Sequence, residues 1–135
     1  MPGYSGTPLP KKLGIKDGFR VRFLDAPVEV RKELDAAVAG CEIAGDGKKL
    51  DFAMMFTTSR EQLSGEFARL SKQLAPAGML WISWPKKSSG VASDLDENLV
   101  RGIGLDAGLV DVKVCAVTEV WSGLKFVRRV KDRKG

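Results

Sequence analysis

The segment Trp84-Pro85-Lys86-Lys87-Ser88-Ser89-Gly90 carries two ammonium groups, an aromatic face and two hydroxyls on a stretch that glycine keeps pliable. Side chains of those types can receive an anionic or aromatic ligand. Thr57-Thr58-Ser59 adds hydroxyls and opens a predicted helix, whose free N–H groups favour negative charge. Asp25 closes a predicted strand, and Tyr4, Lys11 and Lys12 stand on an N-terminal segment of small residues and prolines. The candidate ligand site is therefore Tyr4, Lys11, Lys12, Asp25, Thr57, Thr58, Ser59, Trp84, Lys86, Lys87 and Ser88. The competing reading is a solvated lysine loop with Trp84 capping the core. A second basic run, Arg128, Arg129, Lys131, Arg133 and Lys134, can meet phosphates, each contact adding about one unit of salt slope. A solubilising chain end explains that run as well, and nucleic acid is not the expected partner.

Charge arithmetic supports that judgement. Of 22 Lys+Arg and 17 Asp+Glu in 135 residues, six bases and one acid fall in 124–135, which accounts for the whole net charge of +5. The remaining body is neutral, so an anion site there needs local clustering.

Several activities fall away. The chain has no histidine, which removes the commonest general base and metal ligand. Ser5 in Gly-Tyr-Ser-Gly lacks the G-x-S-x-G spacing and a preceding strand, and no S-x-x-K surrounds Ser5 or Ser88-Ser89. Gly102-Ile103-Gly104-x-x-Ala107 satisfies G-x-G-x-x-A, yet it ends a predicted helix instead of following a strand. Asp94, Asp96, Glu97 and Asn98 lack the glycine and glutamate of a calcium loop; acids in a first helical turn suit the helix dipole. No catalytic residue, metal or cofactor is expected. Binding is favoured over catalysis.

The elements that must position these residues follow from periodicity. Predicted strand A (18–25) alternates Phe19, Val21 and Phe23 with Arg20 and Arg22. A helix follows Pro27 with Val30, Leu34 and Val38 on one stripe and ends at Gly40. Strand B (50–57) and strand C (79–84) are almost continuously apolar and belong inside a sheet. Between them, a capping box, Ser59-x-x-Gln62 or equally Thr58-x-x-Glu61, starts a helix with Leu63, Phe67, Leu70 and Leu74, stopped by Pro76 and Gly78. A third helix starts at Ser93 and buries Leu95, Leu99, Val100 and Ile103, with Gly108 as its cap. Strand D (109–118) turns Val110, Val112, Val114 and Ala116 inward and Asp111 and Lys113 outward. Trp121-Ser122-Gly123 leads to strand E (124–130), and without a helix between them D and E form an antiparallel hairpin.

The expectation is one α/β domain over 1–135: a three-layer Rossmann-like sandwich with a mostly parallel five-stranded sheet, order A-B-C-E-D. Residues 1–17 form an irregular segment packed on it, with a short helical turn through Lys11, Lys12 and Leu13, and 131–135 a disordered basic tail. Cys41 and Cys115 form no C-x-x-C pair, no signal peptide stands at the start, and no run reaches the roughly 20 apolar residues of a membrane span. A cytoplasmic protein without membrane contact is expected, its partner a small anionic ligand or another protein.

Strand C, preceded by Pro76-x-Gly78 and ending in Trp84-Pro85, and the closing hairpin resemble the second half of the class I methyltransferase fold. That resemblance implies S-adenosylmethionine, which needs a glycine-rich turn after the first strand and an acid on the next. Strand A instead runs into Asp25-Ala26-Pro27, and no strand is expected to carry the acid, leaving a degenerate methyltransferase as the competing function. Three longer stretches, Gly3-Tyr4-Ser5-Gly6-Thr7-Pro8-Leu9 followed by Lys11-Lys12-Leu13-Gly14, Gly78–Lys87, and Gly108–Val117 running on into Glu119–Val127, resemble a bacterial family of small proteins known as domain-of-unknown-function family 3052. That family implies bacterial origin and no particular chemistry.

The N-terminal segment is expected to fold over the strand ends and bring Lys11 and Lys12 towards Lys86 and Lys87. Deleting residues 1–9 then lowers both the melting temperature and ligand affinity, measured by thermal shift; a truncated chain equal to the full one on both counts refutes the placement.

Overall fold

The computed structural model describes residues 7–45 and 49–133. Tyr4 and Lys134 lie outside them. In chain order the elements are α1 (Leu9–Leu13), β1 (Arg20–Leu24), α2 (Val28–Val38), β2 (Glu42–Ile43), β3 (Leu50–Phe56), α3 (Arg60–Gln73), β4 (Leu74–Pro85), α4 (Glu97–Asp106), β5 (Leu109–Ala116) and β6 (Trp121–Arg128). They build one sheet in the order β2-β1-β3-β4-β6-β5. The first four strands in that order run parallel, and β6 is antiparallel to both neighbours.

Predicted strands A to E are β1, β3, β4, β5 and β6, in the expected spatial order. The sheet has six strands, not five: Glu42–Ile43 adds a two-residue edge outside β1. Two residues are too few to print an alternation, so periodicity could not reveal it. The edge is short and exposed, Ile43 retaining 64% of its surface.

Both sheet faces are covered. In β3, Phe52, Met54 and Phe56 join Val21, Trp81, Leu13 and Leu34 under α1 and α2. Ala53 and Met55, with Leu80, Ile82, Leu124 and Phe126, pack under α3 and α4. Burying each such side chain stabilises the fold by about 1.5–3 kcal/mol, and the two-sided burial explains the nearly continuous apolar pattern of β3 and β4.

Several boundaries differ from expectation. Leu74 is already strand, so α3 passes into β4 without a loop, and Pro76 and Gly78 sit within β4. Helix α4 starts at Glu97, because Asp96 is the residue whose carboxylate accepts the Leu99 N–H, 2.8 Å away. Ser93 instead caps a local turn, accepting the Leu95 N–H at 3.1 Å. The short helical turn expected through Lys11, Lys12 and Leu13 is present as α1, beginning two residues earlier, and Gly14 ends it at φ 87°. Val130–Asp132 form a 3-10 turn where a disordered tail was expected.

The largest correction concerns β5. Val112 and Val114 keep 54% and 49% of their surface. A bulge between Asp111 and Lys113 interrupts the register with β6, so simple alternation fails there.

Gly104 is where α4 approaches the sheet: a Cβ there would run into the ring of Phe126, itself edge-on to Phe67 at 5.2 Å. The G-x-G-x-x-A match is thus a packing feature. Gly104→Ala is expected to cost about 1–3 kcal/mol of stability by overpacking, read by chemical denaturation. Gly102→Ala, facing open space, is the control and should be neutral or stabilising.

Candidate functional site

Helix α2 returns over one sheet face after β1, and α3 over the other after β3. Their crossovers diverge between β1 and β3, which are neighbours. Open α/β sheets place ligand crevices at such a switch point, outside the carboxyl ends of the strands. Here those ends are Leu24, followed by Asp25, and Phe56, followed by Thr57.

A hydrogen-bond chain spans the two. Thr57 donates its hydroxyl to Gln62 Oε1 at 2.6 Å, and Gln62 Nε2 donates to Asp25 Oδ2 at 3.3 Å. Thr57 Oγ1 also accepts the Ser59 N–H at 3.1 Å, and Ser59 Oγ caps α3 by accepting the Gln62 N–H at 3.2 Å. Only half of the capping box forms, because the Gln62 side chain turns to the crevice instead of back to the helix start. Asp25, Thr57 and Ser59 are thereby brought together. Gln62 was not among the expected site residues; the cap motif pointed to its backbone role and hid the other.

Beside Asp25 lies a groove of about 530 Å³, with Phe23, Ala26, Leu34, Val38 and Ile43 as apolar lining and Arg31 and Asp35 as polar. Asp25 has φ 58°, the one non-glycine residue with positive φ among those described. Aspartate tolerates that region better than most residues, though a left-handed conformation still costs roughly 1–2 kcal/mol.

The start of α3 is not open to an anion, contrary to expectation. Asp94 Oδ1 accepts the Arg60 N–H at 2.8 Å, while the Thr58 carbonyl accepts from Ser93 Oγ at 3.0 Å and from the Asp94 N–H at 3.3 Å. The loop before α4 therefore delivers a carboxylate to the positive helix end. The acidic cluster signalled this chemistry; sequence could not say which helix would receive it.

Trp84 is 5% exposed and packs in the core with Leu95, so its ring does not face a ligand. Lys86 is half-buried; its N–H donates to the Val120 carbonyl at 2.7 Å and its carbonyl accepts Ser89 Oγ at 2.6 Å. Lys87 and Ser88 are exposed on a 3-10 turn. Ser83 and Lys86 have S-x-x-K spacing, but Ser83 is fully buried and donates to the Ser122 carbonyl at 2.6 Å.

Lys11 is exposed. Lys12 extends to the hairpin, donating to the Ala116 carbonyl at 2.8 Å, and Lys113 donates back to the Lys12 carbonyl at 3.0 Å. The charges of Lys12, Lys113 and Lys86 all act on the Cys115 sulfur; burial outweighs them and pushes the thiol up.

The basic end is partly committed to structure. Arg128 donates to the carbonyls of Ser71 and Leu74, both at 2.8 Å, tying β6 to the α3–β4 junction. Arg133 donates to the Arg128 carbonyl at 3.0 Å, Arg129 is exposed, and Lys131 stands in the terminal turn.

The fold is shared with methyltransferases. Magnesium protoporphyrin IX methyltransferase from Synechocystis PCC 6803, with bound SAH, superposes with a TM-score of 0.59 at 15% identity, covering 90% of this chain and 78% of that one. A SAM-dependent methyltransferase from Aquifex aeolicus gives 0.55 at 18% identity, covering 86% and 85%. The Methanococcus jannaschii fibrillarin pre-rRNA processing protein gives 0.55 at 14%, covering 93% and 70%. No protein-family model and no curated protein matches the sequence. The likeness establishes a Rossmann-like, methyltransferase-like α/β fold.

The residues present do not fit the cofactor this fold implies. The turn after β1 places the Asp25 side chain in a left-handed position that glycine would leave clear, and Pro27 offers no N–H. The acidic Asp25 and Asp94 flank the crevice, an unfavourable setting for a ligand carboxylate. The edge strand that periodicity did not show is present as β2, with Glu42 at its start; past its end Ala44 and Gly45 carry no acid, and 46–48 lie outside the described residues.

Asp94→Ala is expected to destabilise the protein by about 0.5–2 kcal/mol through loss of the α3 cap, measured by denaturant unfolding. Thr58→Ala, which keeps the carbonyl that Ser93 and Asp94 use, should stay near wild type.

Proposed function

We propose that the chain is a binding module on a methyltransferase-like fold. It takes a small polar ligand in the β1–β3 crevice and transfers no methyl group. The observation that carries this reading is the Asp25–Gln62–Thr57 bridge at the switch point. Gln62 is exposed and turns both its amide N–H and its carbonyl to these partners, so a ligand with matching polar groups can replace it. Asp25 then accepts from a ligand hydroxyl or amine, and Thr57 donates to a ligand oxygen. The adjoining groove suits an apolar portion, its volume falling in the usual range for small-ligand sites.

This revises the ligand expected from sequence. An acidic crevice supports a hydroxyl-rich or cationic ligand there in place of an anion. Membership of family 3052, a single domain over 1–135, a bacterial origin and a cytoplasmic location belong to the same proposal. Free Cys41 and Cys115 support the location, and no helix among the described residues is long and apolar enough to cross a membrane.

A second reading, S-adenosylmethionine-dependent methyl transfer, is supported by the fold likeness. The two separate in one set of measurements. A thermal-shift panel of nucleosides, polyols, amines and S-adenosylmethionine should yield a stabilising compound. Asp25→Asn and Thr57→Val should weaken its apparent affinity about tenfold, roughly the contribution of one or two hydrogen bonds to a charged or polar partner. Stabilisation by S-adenosylmethionine with conversion to S-adenosylhomocysteine overturns the non-catalytic reading. A panel response unchanged in both variants overturns the crevice.

A further inference from the structure

Asp111 and Lys113 are two residues apart on β5, so a regular strand would aim both at one face. The bulge separates them. Asp111 is paired with Phe126, on the α3–α4 side, and its carboxylate accepts from Arg101 of α4 at 2.8 Å. Arg101 in turn holds the Asp111 carboxyl below the usual range. Past Val112, Lys113 is paired with Lys125 and reaches α1 on the other side of the sheet. Bulges are a recognised means of re-aiming a side chain near a site.

The result is two lysines directly opposite each other, an arrangement that destabilises a strand pair. Lys125 is half-buried, and burial together with Lys113 pushes its ammonium down. Lys12 comes in from α1, and Lys86, whose N–H donates to the Val120 carbonyl at 2.7 Å, stands at the turn end of the same hairpin. Among the described residues, no ion pair joins a carboxylate to Lys86, Lys113 or Lys125. Lys12 and Lys113 lash α1 to β5 through each other's backbone. Lys125 plays no such structural part, since no hydrogen bond within the described residues uses its ammonium.

We propose that Lys12, Lys86 and Lys113, together with Lys125 opposite Lys113, bind a phosphate group on the α1 face of the β5–β6 hairpin. A dianion answers several converging ammonium ions, of which Lys86, Lys113 and Lys125 form no ion pair with a carboxylate among the described residues, and lysine binds phosphate as a compact point charge. This site lies on the opposite side of β4 from the β1–β3 crevice and stands or falls independently of it. The phosphate is either free or carried by a small phosphomonoester.

The test is a thermal-shift titration with inorganic phosphate and with glycerol phosphate, each against sodium chloride of equal ionic strength. Wild type is expected to be stabilised by one or both beyond chloride, the stronger response naming the source. Lys125→Met should weaken the apparent phosphate affinity about fivefold, the order expected for one charge-assisted contact, while melting no lower than wild type in phosphate-free buffer because the opposed charges are gone. Lys86→Met should weaken phosphate in the same way, and Lys72→Met, on α3, should not. Phosphate should also slow alkylation of Cys115 while leaving Cys41 unchanged, read by mass spectrometry. Equal stabilisation by chloride, or a full phosphate response in both Lys125→Met and Lys86→Met, overturns the site.

Discussion

The indole of Trp81 governs one whole side of the molecule. It stands on β4, fully buried, and donates Nε1–H to the Leu13 carbonyl at 2.9 Å. That carbonyl belongs to the last turn of α1, where helix carbonyls lack intrahelical partners. One hydrogen bond therefore satisfies the polar atom of the largest buried side chain and a helix end, and fixes α1 against the centre of the sheet. Leu9 and Leu13 cover Trp81 from above, and Gly123 opposite lets the ring lie flat, since a Cβ there would press on it. With α1 held, Lys12 is held too, and so is its approach to the hairpin. A buried indole N–H left without its acceptor would cost about 1–3 kcal/mol, so the geometry of the lysine face and the stability of the core depend on the same contact.

The other end of the sheet is built with less. Edge strand β2 has two residues, one of them largely exposed, and α2 overhangs it to leave the groove beside Asp25. A sheet shortened in this way keeps its switch point, because that depends only on where successive crossovers diverge. The crevice therefore survives in a small chain even though the residues lining it are not those that cradle a nucleotide. Asp94 shows the same substitution of local for foreign partners. The Arg60 N–H at the start of α3, which could receive a ligand anion, is met by the protein's own carboxylate. Fold and ligand chemistry are separable here, as is general for architectures that host many activities.

What was legible in the sequence follows from what periodicity can carry. Long two-sided strands such as β3 announce themselves because every position is apolar, and their central placement follows. The spatial order of five strands came from that and from the rule that strands joined by helices run parallel. The bulge at Val112 was not legible: alternation of Val110, Val112 and Val114 is as regular as any strand in the chain, and only pairing with β6 breaks it. Trp84 illustrates the converse difficulty, since a tryptophan beside two lysines reads equally as a ligand platform or a core plug, and packing against Leu95 decides for the core. Gln62 and Asp94 were hidden because both are good helix-start residues, and that local explanation consumes the signal.

Two features break local rules in a structure that otherwise obeys them. Buried side-chain nitrogen and oxygen atoms of the described residues all have hydrogen-bond partners, so the core leaves no polar side chain unmet. Against that background, a non-glycine residue in the left-handed region at Asp25 and two lysines facing each other across β5 and β6 stand out. Neither is forced by the fold. A glycine would relieve the first, and a strand without the bulge would turn Lys113 away from Lys125. Proteins tend to hold such costs where a site requires them and to offset them elsewhere. One violation lies at the switch-point crevice and the other amid the lysine cluster. Their coincidence with the two places where polar groups converge supports the binding sites proposed at the two ends of this sheet.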